Sequence, residues 1–162
     1  MRVYALDAEK ETDFKKRLNY NYRLVYELGS ATGLRISDIV SLKKEVLNKK
    51  EPTIKEQKTG KSKRIYIPVE LKTELKKYSK NHKKYIFESR SKTGHLTRQA
   101  VHKHFKKIAT EIECHENIGT HTMRKNYALK LLQKGKSLKY IKNKLNHDNL
   151  TDTLLYLMKN GF

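Results

Sequence analysis

Thr120-His121-Thr122-Met123-Arg124-Lys125-Asn126-Tyr127-Ala128-Leu129-Lys130-Leu131-Leu132 is the stretch on which the reading of this chain turns. Its pattern predicts an amphipathic helix that begins at Thr120 and is ended by Gly135. On such a helix His121 and Arg124 lie three residues apart, about 60° around the axis, so an imidazole and a guanidinium emerge side by side. Leu129 and Leu132 take a neighbouring face and can hold the helix to a core. An arginine fork binds the nonbridging oxygens of a phosphate, and a histidine beside it exchanges a proton. The same pair on a plain surface helix would have no role, so the rest of the chain has to decide.

Downstream, Ser137 predicts the cap of a helix through Ile141 and Leu145, and Thr151 the cap of a last one. In that last helix Leu150, Leu154, Leu157 and Met158 form one stripe, while Tyr156 points to roughly the opposite side. A tyrosine off the apolar stripe is not needed for packing. As a nucleophile, a phenol of ordinary pKa near ~10 needs positive charge or a base nearby.

Upstream, Asp7 can cap a helix through Phe14 and Leu18, and residues 20–31 predict a second, stopped by Gly33. Ser37 can cap a short helix through Ile39, Val40 and Leu42. Residues 53–57 and 64–67 are β-prone and flank the turn-forming Lys58-Thr59-Gly60-Lys61, which predicts an antiparallel hairpin with a lysine at its mouth. A helix over residues 69–78 follows, then a short strand at 85–87, then a helix capped by Thr97 that carries Val101, Phe105 and Ile108. The expected fold is α+β and mostly helical, with a small antiparallel β-sheet inserted after the third helix.

The chain has 162 residues, enough for one domain with one sizeable core. It carries 37 Lys and Arg against 17 Asp and Glu, a formal net charge of +20. Residues 46–110 hold 19 of those bases and only 5 acids, whereas 1–45 hold 9 and 7 and 111–162 hold 9 and 5. Such a surplus suits a polyanion, with a merely solvated lysine-rich face as the other reading. A lone cysteine, Cys114, excludes an internal disulfide framework and suits a reducing cytoplasm. No apolar run approaches the ~18 residues of a membrane span, and the polar start is not a signal peptide. His102 and His104, and Cys114 with His115, lack a second pair at finger-like spacing, so no metal is expected. Gly60-Lys61-Ser62 lacks the upstream glycine of a phosphate-binding loop, and no nucleotide cofactor is expected either.

Five segments, taken in order, resemble the catalytic domain of the tyrosine recombinase (phage integrase) family. Ala31-Thr32-Gly33-Leu34-Arg35-Ile36-Ser37-Asp38-Ile39 is similar to its first-arginine motif, and Lys58-Thr59-Gly60-Lys61 falls where the family places a hairpin lysine. His121-Thr122-Met123-Arg124 resembles the His-x-x-Arg box, and Leu145-Asn146-His147 the Leu-Gly-His segment. Tyr156 follows nine residues after His147, the family's usual interval. Asn146 stands where glycine is usual, and asparagine is the next most tolerant of a left-handed helix end. Asp38 stands where glutamate is commoner. Only six residues follow Tyr156 and no core-binding domain precedes residue 1, so residues 1–162 are expected to form a single catalytic domain with a truncated tail. That describes either a fragment of a longer recombinase or a minimal single-domain type.

The resemblance implies cutting and rejoining of double-stranded DNA without cofactor or metal. Tyr156 would attack the scissile phosphate to give a 3′-phosphotyrosyl link, and Arg35 and Arg124 would clamp the phosphoryl oxygens with His147. His121 would move the tyrosine's proton and Lys58 would protonate the leaving oxygen, with Lys61 and Lys63 as rivals for that last role. Lys61, Lys63, Arg64, Arg98 and Lys103 are the expected contacts to the DNA backbone. The expected partners are duplex DNA and further copies of the chain, up to a tetramer at synapsis, with no membrane. The expected location is the cytoplasm, at a bacterial nucleoid or in the host of a mobile element. A non-cutting DNA-binding regulator with the same fold is the alternative, and a DNA-relaxing enzyme of the same chemistry a third reading.

Overall fold

Asp7, Thr97 and Ser137 each turn a side-chain oxygen onto the first free backbone N–H groups of a helix, accepting from Lys10, Ala100 and Tyr140 respectively. These caps start three of the eight helices in the computed structural model, which describes residues 6–114 and 118–158. The order is α1 (Ala8–Arg17), α2 (Tyr20–Thr32), α3 (Ile36–Val40), a 3-10 turn (Lys44–Asn48), β1 (Thr53–Lys55), β2 (Ser62–Arg64), α4 (Val69–Tyr78), α5 (Arg98–Glu111), α6 (Thr120–Gln133), α7 (Leu138–Leu145) and α8 (Leu150–Met158). The expected mostly helical fold with a two-stranded antiparallel sheet after the third helix is what forms. His115, the sequence neighbour of Cys114, lies outside the described residues.

The hairpin pairs Thr53 with Arg64, Ile54 with Lys63 and Lys55 with Ser62, so its second strand lies earlier than the expected 64–67. Residues 85–87 add only a single bridge, Tyr85 to Lys43, instead of a strand. Two expected caps also shift. Arg35 takes the cap of α3 and puts Ser37 inside it, while the Asn149 side chain accepts from Asp152 N at the start of α8, putting Thr151 inside that helix.

α2 and α6 form the spine. At Gly29 a Cβ would come within 2.6 Å of the Met123 sulfur, so glycine sets how closely the two helices approach. Gly33 ends α2 at φ +65°, and a Cβ there would meet the Tyr127 ring at 2.3 Å. Two demands, a left-handed backbone and no side-chain volume, therefore meet on one residue. α6 is not the amphipathic helix its sequence predicts. Thr122, Met123, Arg124, Lys125, Asn126 and Ala128 are all buried, because neighbours cover it on several sides. Met123 belongs to the main core with Phe14, Leu24, Leu28 and Phe105, and Ala128 to a smaller cluster with Ile141, Leu145 and Leu157. Leu129 and Leu132 pack only partly, at the rim of the smaller cluster.

The last helix reverses its expected orientation. Thr153 and Leu157 are its buried residues and Tyr156 is half-buried, while Leu150, Leu154, Leu155 and Met158 face outward. Most of the apolar stripe lies on the outer side, and the tyrosine packs against the small cluster.

Candidate active site

Arg124 is the hinge-pin of the site. Its guanidinium is nearly buried and donates from Nη1 to the Gly33 carbonyl at 2.6 Å and from Nη2 to the Leu145 carbonyl. Those are carbonyls that α2 and α7 leave open at their C-terminal ends, so one side chain from α6 staples two helix ends together. Arg35 caps α3 two residues after the Gly33 turn, and its Nη1 donates to Glu56 Oε2 at 2.7 Å. Glu56 Oε1 lies 3.8 Å from Arg124 Nη1, so one carboxylate sits between both guanidiniums.

The two arginines open onto a groove of about 710 Å³. Lys58 from the hairpin turn, His121 from the first turn of α6, and Arg98 and Lys103 from α5 line it with them. Asp38, buried in α3, accepts from the Gln57 N–H at 2.9 Å and ties the hairpin turn to the helix that follows Arg35. Desolvation of its ring, then the positive charge of Arg124, Arg35, Lys58 and Lys125, pushes His121 below its ordinary pKa. It is therefore neutral at pH 7 and can accept a proton.

His147 and Tyr156 stand beside Arg124. Asn146 closes α7 at φ 51°, the left-handed conformation that its place before the histidine demands. His147 Nδ1 lies 3.0 Å from the Thr153 hydroxyl, and burial followed by the charge of Arg124 lowers the ring to about 4. Its ring meets that of Tyr156 edge-on at 5.4 Å, and Lys125 Nζ lies 5.3 Å from the centre of the tyrosine ring. The phenol oxygen is buried, and burial raises its pKa well above the ordinary value, while Arg124 and then Arg35 pull it back. In the absence of substrate the nucleophile candidate is a neutral phenol.

The tertiary structure thus brings Arg35, Lys58, His121, Arg124, Arg98 and Lys103 around one groove, while His147 and Tyr156 pair with each other outside its lining, within reach of the charge of Arg124. The remaining basic candidates do not line the groove. Lys61 Nζ bonds Asp148 at 2.5 Å, next to His147. Arg64 is exposed beside Glu51 at 3.8 Å. Lys63 corrects the expectation of a surface contact, because it is the inward residue of β2. Its ammonium lies 5.5 Å from the centre of the Tyr127 ring, and burial and then Arg124 lower it to about 7.

Glu56, Thr153 and Lys125 are the neighbours that sequence reading passed over. Glu56 carries a faint signal, since Ile54 faces inward and strand alternation points the second residue after it the same way. Thr153 sits one turn before Tyr156 and six residues after His147, a spacing with meaning only once the helix start is known.

Residues 3–161 match the model of the phage integrase family, and the chain belongs to that family. It is 33% identical over 145 residues to the probable integrase/recombinase YoeC of Bacillus subtilis, covering 86% of this chain and 80% of that protein. Against the tyrosine recombinase XerD of Lacticaseibacillus casei it is 27% identical, covering 95% of this chain and 55% of that one. The chain therefore spans about half the length of the latter relative. The fold superposes on the Tn1549 transposon integrase, solved in complex with a circular intermediate DNA, with a TM-score of 0.76 at 18% identity. That match covers 96% of this chain and 61% of the other.

Proposed function

We propose that this chain is the catalytic domain of a site-specific DNA recombinase that cuts and rejoins duplex DNA through Tyr156. The observation that carries the reading is the meeting of Arg35 and Arg124 with Lys58 and His121 on one groove, with His147 and Tyr156 within reach of the charge of Arg124.

The Tyr156 oxygen attacks the scissile phosphorus and its proton passes to neutral His121. The bond from phosphorus to the 5′ oxygen breaks, and Lys58 gives that oxygen its proton. The products are a 3′-phosphotyrosyl ester and a free 5′ hydroxyl, and the ester retains the bond energy needed for rejoining. Arg35 and Arg124 meet the negative charge that grows on the phosphoryl oxygens, each such donor being worth roughly 3–4 kcal/mol. With Nδ1 accepting from the Thr153 hydroxyl, His147 keeps an Nε2–H for the same oxygens. A phenol that starts buried and neutral suits a nucleophile that loses its proton only as the phosphate arrives. Lys58 acts as the acid in preference to Lys63, which is turned into the interior, and to Lys61, which is engaged by Asp148.

Arg98 and Lys103 track the DNA backbone without reading sequence. Further copies of the chain assemble on the DNA, as a tetramer at synapsis, and the work is done in the cytoplasm where such DNA lies. Residues 1–162 act as one catalytic domain. The test is a nicked suicide duplex, on which the protein is expected to leave a covalent adduct that Tyr156→Phe abolishes. Salt-sensitive DNA binding with no adduct from either protein would overturn the reading in favour of a non-cutting regulator.

A further inference from the structure

Glu56 is a wholly buried carboxylate in the most basic part of the chain. Burying a lone carboxylate costs so much that it persists only among partners. Its partners come from four separate segments. Arg35 Nη1 donates to Oε2 at 2.7 Å, and the Thr59 hydroxyl donates to the same oxygen at 2.9 Å. Arg124 Nη1 lies 3.8 Å from Oε1, and Asn146 at the end of α7 acts electrostatically on the carboxylate without a hydrogen bond of normal geometry. Burial pushes the Glu56 carboxyl up, but Thr59, Asn146 and Arg35 together offset this, and it ends below its ordinary value. It is ionised at neutral pH.

Each of those partners adjoins or is a group of the proposed reaction. Arg35 and Arg124 are the two forks, Thr59 follows Lys58, and Asn146 precedes His147. We propose that Glu56 is the positioning residue that sets these four segments in register and offsets one of the two positive charges of the arginine pair. This rests on the reading of the groove as a scissile-phosphate site. Glu56 does not touch the phosphate. It fixes the rotamer of Arg35 so that the guanidinium's remaining N–H groups face the groove, and it anchors the turn that carries Lys58.

Glu56→Gln keeps the shape and removes the charge. Under saturating suicide duplex its adduct formation is expected to slow by about 10- to 100-fold, the size of effect that misplacing a reacting group produces. DNA affinity at fixed salt is expected to hold or tighten, because the arginine pair gains one net positive charge. A merely structural carboxylate would weaken binding and cleavage together. Arg35 supplies a readout independent of cleavage, since its guanidinium NMR signals should show hindered rotation in the native protein and free rotation in Glu56→Gln. Should Glu56→Gln fail to fold, Thr59→Val, at an exposed turn position, is expected to slow cleavage by about 3- to 10-fold with unchanged DNA affinity. Cleavage by Glu56→Gln within threefold of the native rate, or equally hindered Arg35 in both proteins, would overturn the proposal. Failure of the native protein to form any adduct would instead count against the phosphate-site reading, and the Arg35 signals alone would then decide the role of Glu56.

Discussion

Arg35 stands on a core in which Phe14, Leu24, Tyr26, Leu28, Ile39 and Phe105 are all wholly buried, whereas Tyr156 rests on a cluster of four buried apolar residues, Ala128, Ile141, Leu145 and Leu157. The outer face of α8 even leaves Leu150, Leu154, Leu155 and Met158 in solvent, each more than 40% exposed. The half of the site built on Arg35 therefore rests on the larger packed core, and the half that carries Tyr156, with fewer buried apolar contacts, is expected to open at lower free energy. Under the proposed reaction, this difference lets the phosphate be seated on the arginines before the Tyr156 phenol advances.

Arg124 joins the two halves, and removing it should produce the largest effect. Arg124→Ala orphans the Gly33 and Leu145 carbonyls and one side of Glu56, and is expected to cost about 3–5 kcal/mol in urea unfolding as well as all adduct formation. A stability loss below about 1 kcal/mol would mean that the halves do not depend on it. Next comes Leu28→Ala in the large core, expected to cost about 2–5 kcal/mol because the packed spine cannot collapse into the space.

Lys63→Met is a smaller change of opposite sign. Native Lys63 has its folded-state pKa lowered to about 7, from 10.5. Between those values the unfolded chain holds more protons, so native stability should rise as the pH is taken from 7 toward 10. The variant should lose that rise and gain about 1 kcal/mol at pH 7, as expected when a buried charge gives way to an apolar side chain of similar size. Unfolding curves at pH 7 and 9.5 check both signs, and a destabilised variant at pH 7 would show that the ammonium's contact with Tyr127 outweighs its burial. The smallest effect belongs to Leu154→Ser on the outer face of α8, expected within about 0.5 kcal/mol. A larger loss, measured at several protein concentrations, would mean that this face is covered in solution.

Sequence and structure agree where the cause is local. Asp7, Thr97 and Ser137 cap their helices because a short polar side chain needs only the next turn of its own backbone. Gly33 stops α2 and Gly60 takes φ 66° in the hairpin turn for the same kind of reason. Sequence and structure part where neighbouring elements decide. The leucine stripe of α8 suggested an outward Tyr156, but Arg124, His147 and Lys125 form a polar recess that takes in the tyrosine and Thr153 instead. The periodicity of α6 suggested one buried face, yet packing on several sides buries its polar residues too.

Motif order, the basic surplus of residues 46–110, the caps at Asp7, Thr97 and Ser137 and the hairpin turn were thus set down in the amino-acid string, because each depends on bonds and sterics within a few residues or on composition alone. Only the tertiary structure could separate Lys58 in the groove from Lys63 in the interior and give Glu56 its four partners. Those outcomes depend on the dielectric and charge that distant segments create at one point, and no window of adjacent residues contains that information.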